Sequence, residues 1–222
     1  YSKEGYEKKL AELYPASPAR IAAAQERAHA LWRQFPQKYI HGWRNVGSSG
    51  DYLNDTKNAK SCFIGFDMED SKFCAFITGK LTDSYDFTNF GLNSSLLYEV
   101  LQAGNQVARI RMCWWAITSC QDIEYSMFTI GSKNLFGSVG LKKREYCILN
   151  KQYSKEEYEK LRTEIINQMN TAPYVDKKGL AYQYGEFFPV ELSPFGYNES
   201  SAQEFFPLTK TRVQENGYLW RE

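Results

Sequence analysis

The chain has 222 residues, with 27 Lys and Arg against 26 Asp and Glu. That balance leaves no electrostatic footprint for nucleic acid or an anionic membrane, and no apolar run approaches the ~18 residues of a transmembrane helix. The length suits one moderate domain with appendages or two small ones, and the 16% aromatic content points to stacked aromatic packing. Five cysteines, Cys62, Cys74, Cys113, Cys120 and Cys147, are odd in number and include no C-x-x-C pair. Neither a closed zinc site nor a disulfide framework fits them. They read as small buried side chains, with no metal or other cofactor in this segment, in a reducing, cytoplasmic compartment.

The octet "YSKEGYEK" at Tyr1 returns as "YSKEEYEK" at Tyr153, differing only where Gly5 stands against Glu157. Such a match points to internal duplication, so the first copy is expected to follow an earlier block of the same kind in a longer chain. A short helix is predicted from Lys3 to about Leu13. Pro15, Ala16 and Ser17 form a break in which Ser17 caps a second helix that opens on Pro18. Ile21, Ala24, Ala28, Leu31, Trp32 and Phe35 share one stripe of that helix until Pro36 stops it. His29 and His41 make no histidine cluster. Residues 1–49 are read as a helical cap and linker.

From residue 50 to 152 helical periodicity fades, and short apolar runs alternate with Asn, Asp, Ser, Lys and Gly. A repeat emerges in "AKSC", "SKFC", "DSYD", "SLLY", "IEYS" and "REYC", ending at Cys62, Cys74, Asp86, Tyr98, Ser126 and Cys147, with early steps of 12 residues. The absence of Asn-Gly, Asp-Gly and Gly-Gly turns disfavours hairpins. The segment therefore predicts a parallel β-solenoid, as a right-handed β-helix of about four coils, with roughly two repeat units in each coil. Cys62, Cys74 and Cys147 are expected inside it, while Trp32, Phe35 and the Ser154 helix cover its ends. Asp86 at the cysteine phase is the oddity. Either that face is exposed or the register slips there, or Asp86 joins Asp83, Asp67 and Asp70 in a carboxylate cluster of the kind that acts on polysaccharides.

Residues 153–222 are read as a C-terminal helix and an aromatic tail packed on the solenoid. Ser154 and Glu157 form a capping box, and Tyr158, Leu161 and Ile165 recur at helical spacing to about Asn170. "EFFP" occurs at Glu186–Pro189 and again at Glu204–Pro207. The expectation is a strap with Phe187, Phe188, Phe205 and Phe206 filling pockets. Asn198 and Thr209 are placed to cap short helical turns.

The stretches "LKKREYCILNKQYSKEEYEKL" and "GEFFPVELSPFGYNESSAQEFFPLTK" resemble the C-terminal half of a family of cysteine-rich repeat proteins, bearing a zinc ribbon, from uncultivated small-genome bacteria. The likeness covers Trp32 to the C-terminus. It implies an architecture of ribbon, first repeat block, the YSKE phrase, second block and tail, without implying chemistry. This chain departs from it in lacking most repeat cysteines, with Ser61, Asp86, Leu97, Ser126 and Phe136 at or near such positions. The expected function is a non-enzymatic scaffold or binding module, with a protein partner or self-association. Alternatives are a carbohydrate-active solenoid using Asp83 and Asp86, and a nucleic-acid-associated protein acting through a zinc ribbon absent here, for which Arg109, Arg111, Lys142, Lys143 and Arg144 would have to gather on one face. No Gly-rich phosphate loop, nucleophile elbow or zinc-protease motif is present.

Overall fold

A computed structural model describes residues 1–14 and 17–222, so Pro15 and Ala16 of the expected break lie outside the described residues. The chain divides into two compact units, Tyr1–His41 and Gly42–Glu222. The first holds helices α1 (Lys3–Leu13) and α2 (Pro18–Trp32), capped by Ser2 and Ser17. Within this unit Trp32 and Phe35 are exposed and α2 has no buried residue.

The second unit is mainly a parallel β-solenoid of about eight turns, built from a 13-stranded sheet that starts at Gly42. Neighbouring coils pair twelve residues apart, as Phe63 with Ala75, or thirteen apart, as Met68 with Leu81. One repeat unit therefore closes a whole coil, and the expected four coils become about eight.

The reason lies in the backbone. From Ser61 the residues Ser61, Ile64, Asp67, Asp70 and Phe73 all have φ between 47° and 55°, while Cys62, Gly65, Met68, Ser71 and Cys74 are buried. Each triplet is thus a left-handed corner, an inward residue and an outward residue, and four triplets bring Cys74 over Cys62. Extended residues alone would run straight, and the positive-φ residue turns the chain after every two of them. Asn and Asp tolerate that conformation best among side-chain-bearing residues. Hence Asp55, Asn58, Asp67, Asp70, Asp83, Asp86, Asn93, Asp122 and Asn134 stand at corners. The polar punctuation of the sequence marks these corners rather than turns between strands. Thirteen-residue coils take up one extra corner residue, as at Thr118 and Ser119, both at positive φ.

The inward rows explain the cysteines. Cys62, Cys74, Phe87, Val100, Cys113, Ser126 and Ser138 stack in one row. Ala59, Ser71, Ser84, Leu97, Ile110, Ile123, Leu135 and Cys147 form another. Cys147 is therefore buried, but three residues out of phase with Cys62 and Cys74, while Cys113 shares their row. Asp86 and Tyr98 point outward, and Phe87 fills the inward position beside Asp86. No buried carboxylate arises there, because the alignment slips by one residue. Inward thiols and hydroxyls do the same work. Cys62 Sγ donates to the carbonyl of Lys60 at 3.3 Å, Cys74 to Lys72 at 3.4 Å, Ser71 Oγ to Glu69 at 2.9 Å and Ser126 Oγ to Glu124 at 2.8 Å. Each satisfies a carbonyl two residues back, so Cys and Ser exchange freely at these positions.

At its C-terminal end the ladder stops because Lys151–Gln152 folds back antiparallel on Glu145–Ile148. Helix α3 (Lys155–Thr171) then covers the last coil, with both halves of its Ser154–Glu157 capping box formed. Tyr158 is buried against Phe136 and Ile148, with Leu161, Ile165 and Met169 alongside. Beyond it lie short helices α4 (Ser201–Phe205) and α5 (Lys210–Glu215).

Ile64 is β-branched and held at φ 54°, where a left-handed conformation costs roughly 1–2 kcal/mol. Ile64→Asn should therefore raise stability by about 1 kcal/mol, or about 2–4 °C in Tm. A lower Tm in a thermal melt would count against a strained corner at this position.

Candidate binding surface

Because two residues of every triplet face outward, the coil stack presents long, flat faces of distinct chemistry. One carries polar ladders: Lys57 bonds Glu69 at 2.5 Å, Asn58 Nδ2 donates to Asp70 at 2.9 Å, and Arg109 grips Asp122 at 2.6 and 2.8 Å. A second carries Phe63, Ile64, Phe76, Phe90, Leu101, Trp115 and Phe128, each between 39% and 52% exposed. Register places these on one face. The tail touches this face through Phe195, whose ring lies 6.2 Å from Trp114.

A third face carries the tail. Glu124, 5% exposed, sits on the solenoid at the centre of a charge cluster. Arg162 of α3 donates to it through Nε at 2.7 Å and Nη2 at 2.8 Å, Arg111 from the next coil at 3.0 Å, and the Tyr184 hydroxyl at 2.7 Å. Burial pushes this carboxyl up, but the hydrogen bonds of Arg162 and Tyr184 and the two guanidinium charges outweigh it and hold it below the usual carboxylate range. One residue on, Tyr125 accepts from the Gly185 N–H at 2.8 Å and donates to the Glu186 carbonyl at 3.1 Å. Burial pushes its phenol up to about 12, which keeps the donor protonated. Phe188 meets the Tyr125 ring edge-on at 5.8 Å. Solenoid, helix and tail are joined at these two adjacent residues.

Of the expected anchors, Phe187 and Phe188 are half-buried, while Phe205 and Phe206 are 58% and 73% exposed. The two-buckle strap is corrected to one buckle, because α4 holds the second motif away from the solenoid. The Tyr197 hydroxyl donates to the Phe206 carbonyl at 2.6 Å, and Asn198 bonds both the N–H and the carbonyl of Arg221.

Asp83 and Asp86 are exposed at successive corners, so they face apart. Asp83 instead stacks beneath Asp70. The basic residues do not gather either. Arg109 and Arg111 are bound to Asp122 and Glu124, on different faces from Lys142, Lys143 and Arg144. All five cysteines are free thiols. Burial pushes Cys113 up to about 12, and the neighbouring Cys62 thiol together with burial pushes Cys74 up. Among the described residues no group of three or more His, Cys, Asp or Glu is arranged to hold a metal ion, and no helix is long and apolar enough to cross a membrane. The tail encloses a groove of about 450 Å³ lined by Tyr182, Tyr218, Asp176 and Glu191. Its carboxylates are occupied within the fold, Asp176 by the N–H groups of Lys178 and Leu180 and Glu191 by Tyr174 and Lys177.

Glu124, Tyr125 and Tyr184 carried no signal in the sequence. Arg162 did, since it follows Tyr158 by four residues on the helix face expected to be apolar, and an arginine there implies a buried acidic partner. Comparison with protein-family models, curated proteins and solved structures finds no match.

Arg162→Met should cost about 3 kcal/mol, since it strips a buried carboxylate of its bidentate partner, and should open residues 173–185 to limited proteolysis. The folded pKa of Glu124 is lowered, so its stabilisation is present above the unfolded value of ~4.3 and is lost as pH falls through the folded one. An acid-active protease should cut this segment only at pH below ~4.3; cutting at equal rates on both sides would contradict the clamp.

Glu99 has the opposite sign. One of its oxygens is buried without a hydrogen-bond partner. Burial, with the charges of Asp86 and Glu186, pushes its carboxyl up against the pull of Tyr98. Stability is then fullest below the unfolded pKa and declines as pH rises through the folded one. Glu99→Gln should therefore melt higher than wild type at pH 7, and the gap should close near pH 4. A variant that melts lower at pH 7 would show that the ionised carboxylate is stabilised.

Proposed function

We propose that the chain is a non-enzymatic scaffold or binding module whose contact surface for a protein partner is the apolar face from Phe63 to Phe128. The observation that carries this reading is the run of exposed rings and aliphatic side chains along one sheet face, interrupted only by Thr88, Asn89 and Gln102. Contiguous apolar patches of this kind mark interaction sites in folded proteins. Rigidity adds to it, because the corners are held by the coils above and below and a partner need not order the surface on binding. The solenoid supplies length, and the polar ladders on another face keep the remaining surface hydrated. A reducing, cytoplasmic compartment suits the five unpaired thiols.

Affinity capture with the intact chain tests this. Phe76→Ser/Trp115→Ser should leave the chain cooperatively folded in a thermal melt and weaken a captured partner by at least ~30-fold, as expected for loss of a central aromatic anchor. Lys57→Ser, on the polar face, should leave capture unchanged. Retention of the same partners by both variants, or of none by wild type, would overturn the reading.

A further inference from the structure

The tetrapeptide Glu-Phe-Phe-Pro occurs twice in the tail, in opposite states. Glu186–Pro189 is seated on the solenoid: Tyr125 bonds the backbone at Gly185 and Glu186, Phe188 meets its ring, and Pro189 is buried. Glu204–Pro207 leaves both rings and the proline at the surface. Tyr197 bonds the Phe206 carbonyl at the end of α4, and its neighbour Asn198 is tied to Arg221 near the C-terminus.

The seat of the first copy continues along the same face. Tyr125 stands in a corner row that runs through Met112, Glu99 and Asp86 to Phe73, all at positive φ. Beside that row Phe73, Tyr85 and Tyr98 form an aromatic ladder with centroids 5.4 and 5.8 Å apart. The tail reaches this ladder only at its lower end, where Glu186 approaches Tyr98 and Glu99. Above it Phe73 is 41% and Tyr85 39% exposed. Lys72 lies over the Phe73 ring at 4.6 Å, with Lys60 one coil above, both exposed. Where the first seat presents Glu99, the open one presents Lys72, with Lys60, whose ammonium bonds the Gly47 carbonyl, one coil above, and these two charges complement the acidic start of the motif.

We propose that Glu204–Pro207 docks on the Phe73–Tyr85 ladder of a second copy of this chain, with the exchange made reciprocally. Phe205 and Phe206 cover the aromatic ladder, and Glu204 faces Lys60 and Lys72. Reciprocity closes the contact as a two-fold dimer instead of a filament. At 58% and 73% exposed, the two rings of each seat have roughly 260 Å² left to bury, so the four phenyl groups of two seats bury about 500 Å². With the surface they cover the total comes to about 1,000 Å², at the lower bound for a specific interface and in keeping with a weak dimer. This dimer uses a different face from the apolar surface proposed above and does not depend on it.

Sedimentation equilibrium of the full chain from about 1 to 100 µM tests the proposal, an affinity range common for interfaces of this size. The expected result is a monomer–dimer equilibrium that Phe205→Ser/Phe206→Ser and Phe73→Ser/Tyr85→Ser each weaken at least ~30-fold. The first pair is exposed, so its Tm should stay at the wild-type value. Charge exchange separates docking from folding: Lys72→Glu should weaken the dimer, and Lys72→Glu/Glu204→Lys should restore it. A wild-type chain that is monomeric throughout the range would overturn the proposal. So would a dimer that survives both aromatic variants, or a charge exchange that restores nothing.

Discussion

Most of the solenoid depends on one backbone constraint, a left-handed residue at nearly every third position. Each such residue reverses the pleat after two extended residues and so sends the next side chain into the interior again. The consequence is a burial period of three, where an ordinary strand has two and an amphipathic helix 3.6. The interior is narrow, and the row positions accept Cys, Ser, Ala and Gly as readily as Leu or Ile. The chain accepts an unfavourable conformation at many non-glycine residues because the hydrogen bonds between coils over-determine it. Ser49 takes the Cys62 N–H, and Cys74 takes that of Phe63. Each corner is held from above and below.

A coil stack of this kind is open at both ends, and the two units treat their helices differently. The hairpin at residues 145–152 ends the parallel ladder, and α3 lays Tyr158 and its neighbours over the apolar residues that remain. The N-terminal copy of the same octet builds a helix with the same serine cap, yet Tyr6, the counterpart of Tyr158, is 57% exposed. Equal local sequence gives equal local structure. Burial depends on what stands opposite. The same lesson recurs in the two Glu-Phe-Phe-Pro motifs, one seated on Tyr125 and one at the surface.

The junction at Glu124 turns three separate segments into one unit. A carboxylate buried to this degree without partners would be costly. Here Arg111, Arg162 and Tyr184 arrive from the next coil, the capping helix and the tail. Their convergence places the first aromatic motif and leaves the apolar face from Phe63 to Phe128 uncovered over most of its length. Faces with opposite chemistry follow from that arrangement.

Local signals were legible where they act over a few residues. The helix starts at Ser17 and Ser154 followed from capping chemistry, and the parallel solenoid followed from a repeat near twelve residues with no hairpin turns. The coil count was not legible, because Asn and Asp serve both turns between strands and left-handed corners, and composition does not distinguish them. The row assignment of Cys147 was missed for a related reason, whereas an outward Asp86 was among the readings its place in the repeat allowed. The residue inserted in the thirteen-residue coils, as at Thr118 and Ser119, shifts the phase without leaving a recognisable mark. What the sequence by itself determined is the set of helix caps, the repeat and the identity of inward candidates, since these depend on neighbours three or four residues away. Only the tertiary structure decided that Glu124 meets Arg162, that one aromatic motif is seated and its twin is not, and which face stays apolar and open. Those outcomes depend on stacking register accumulated over about eight turns, in which each residue's surroundings are set by chain twelve or thirteen residues away.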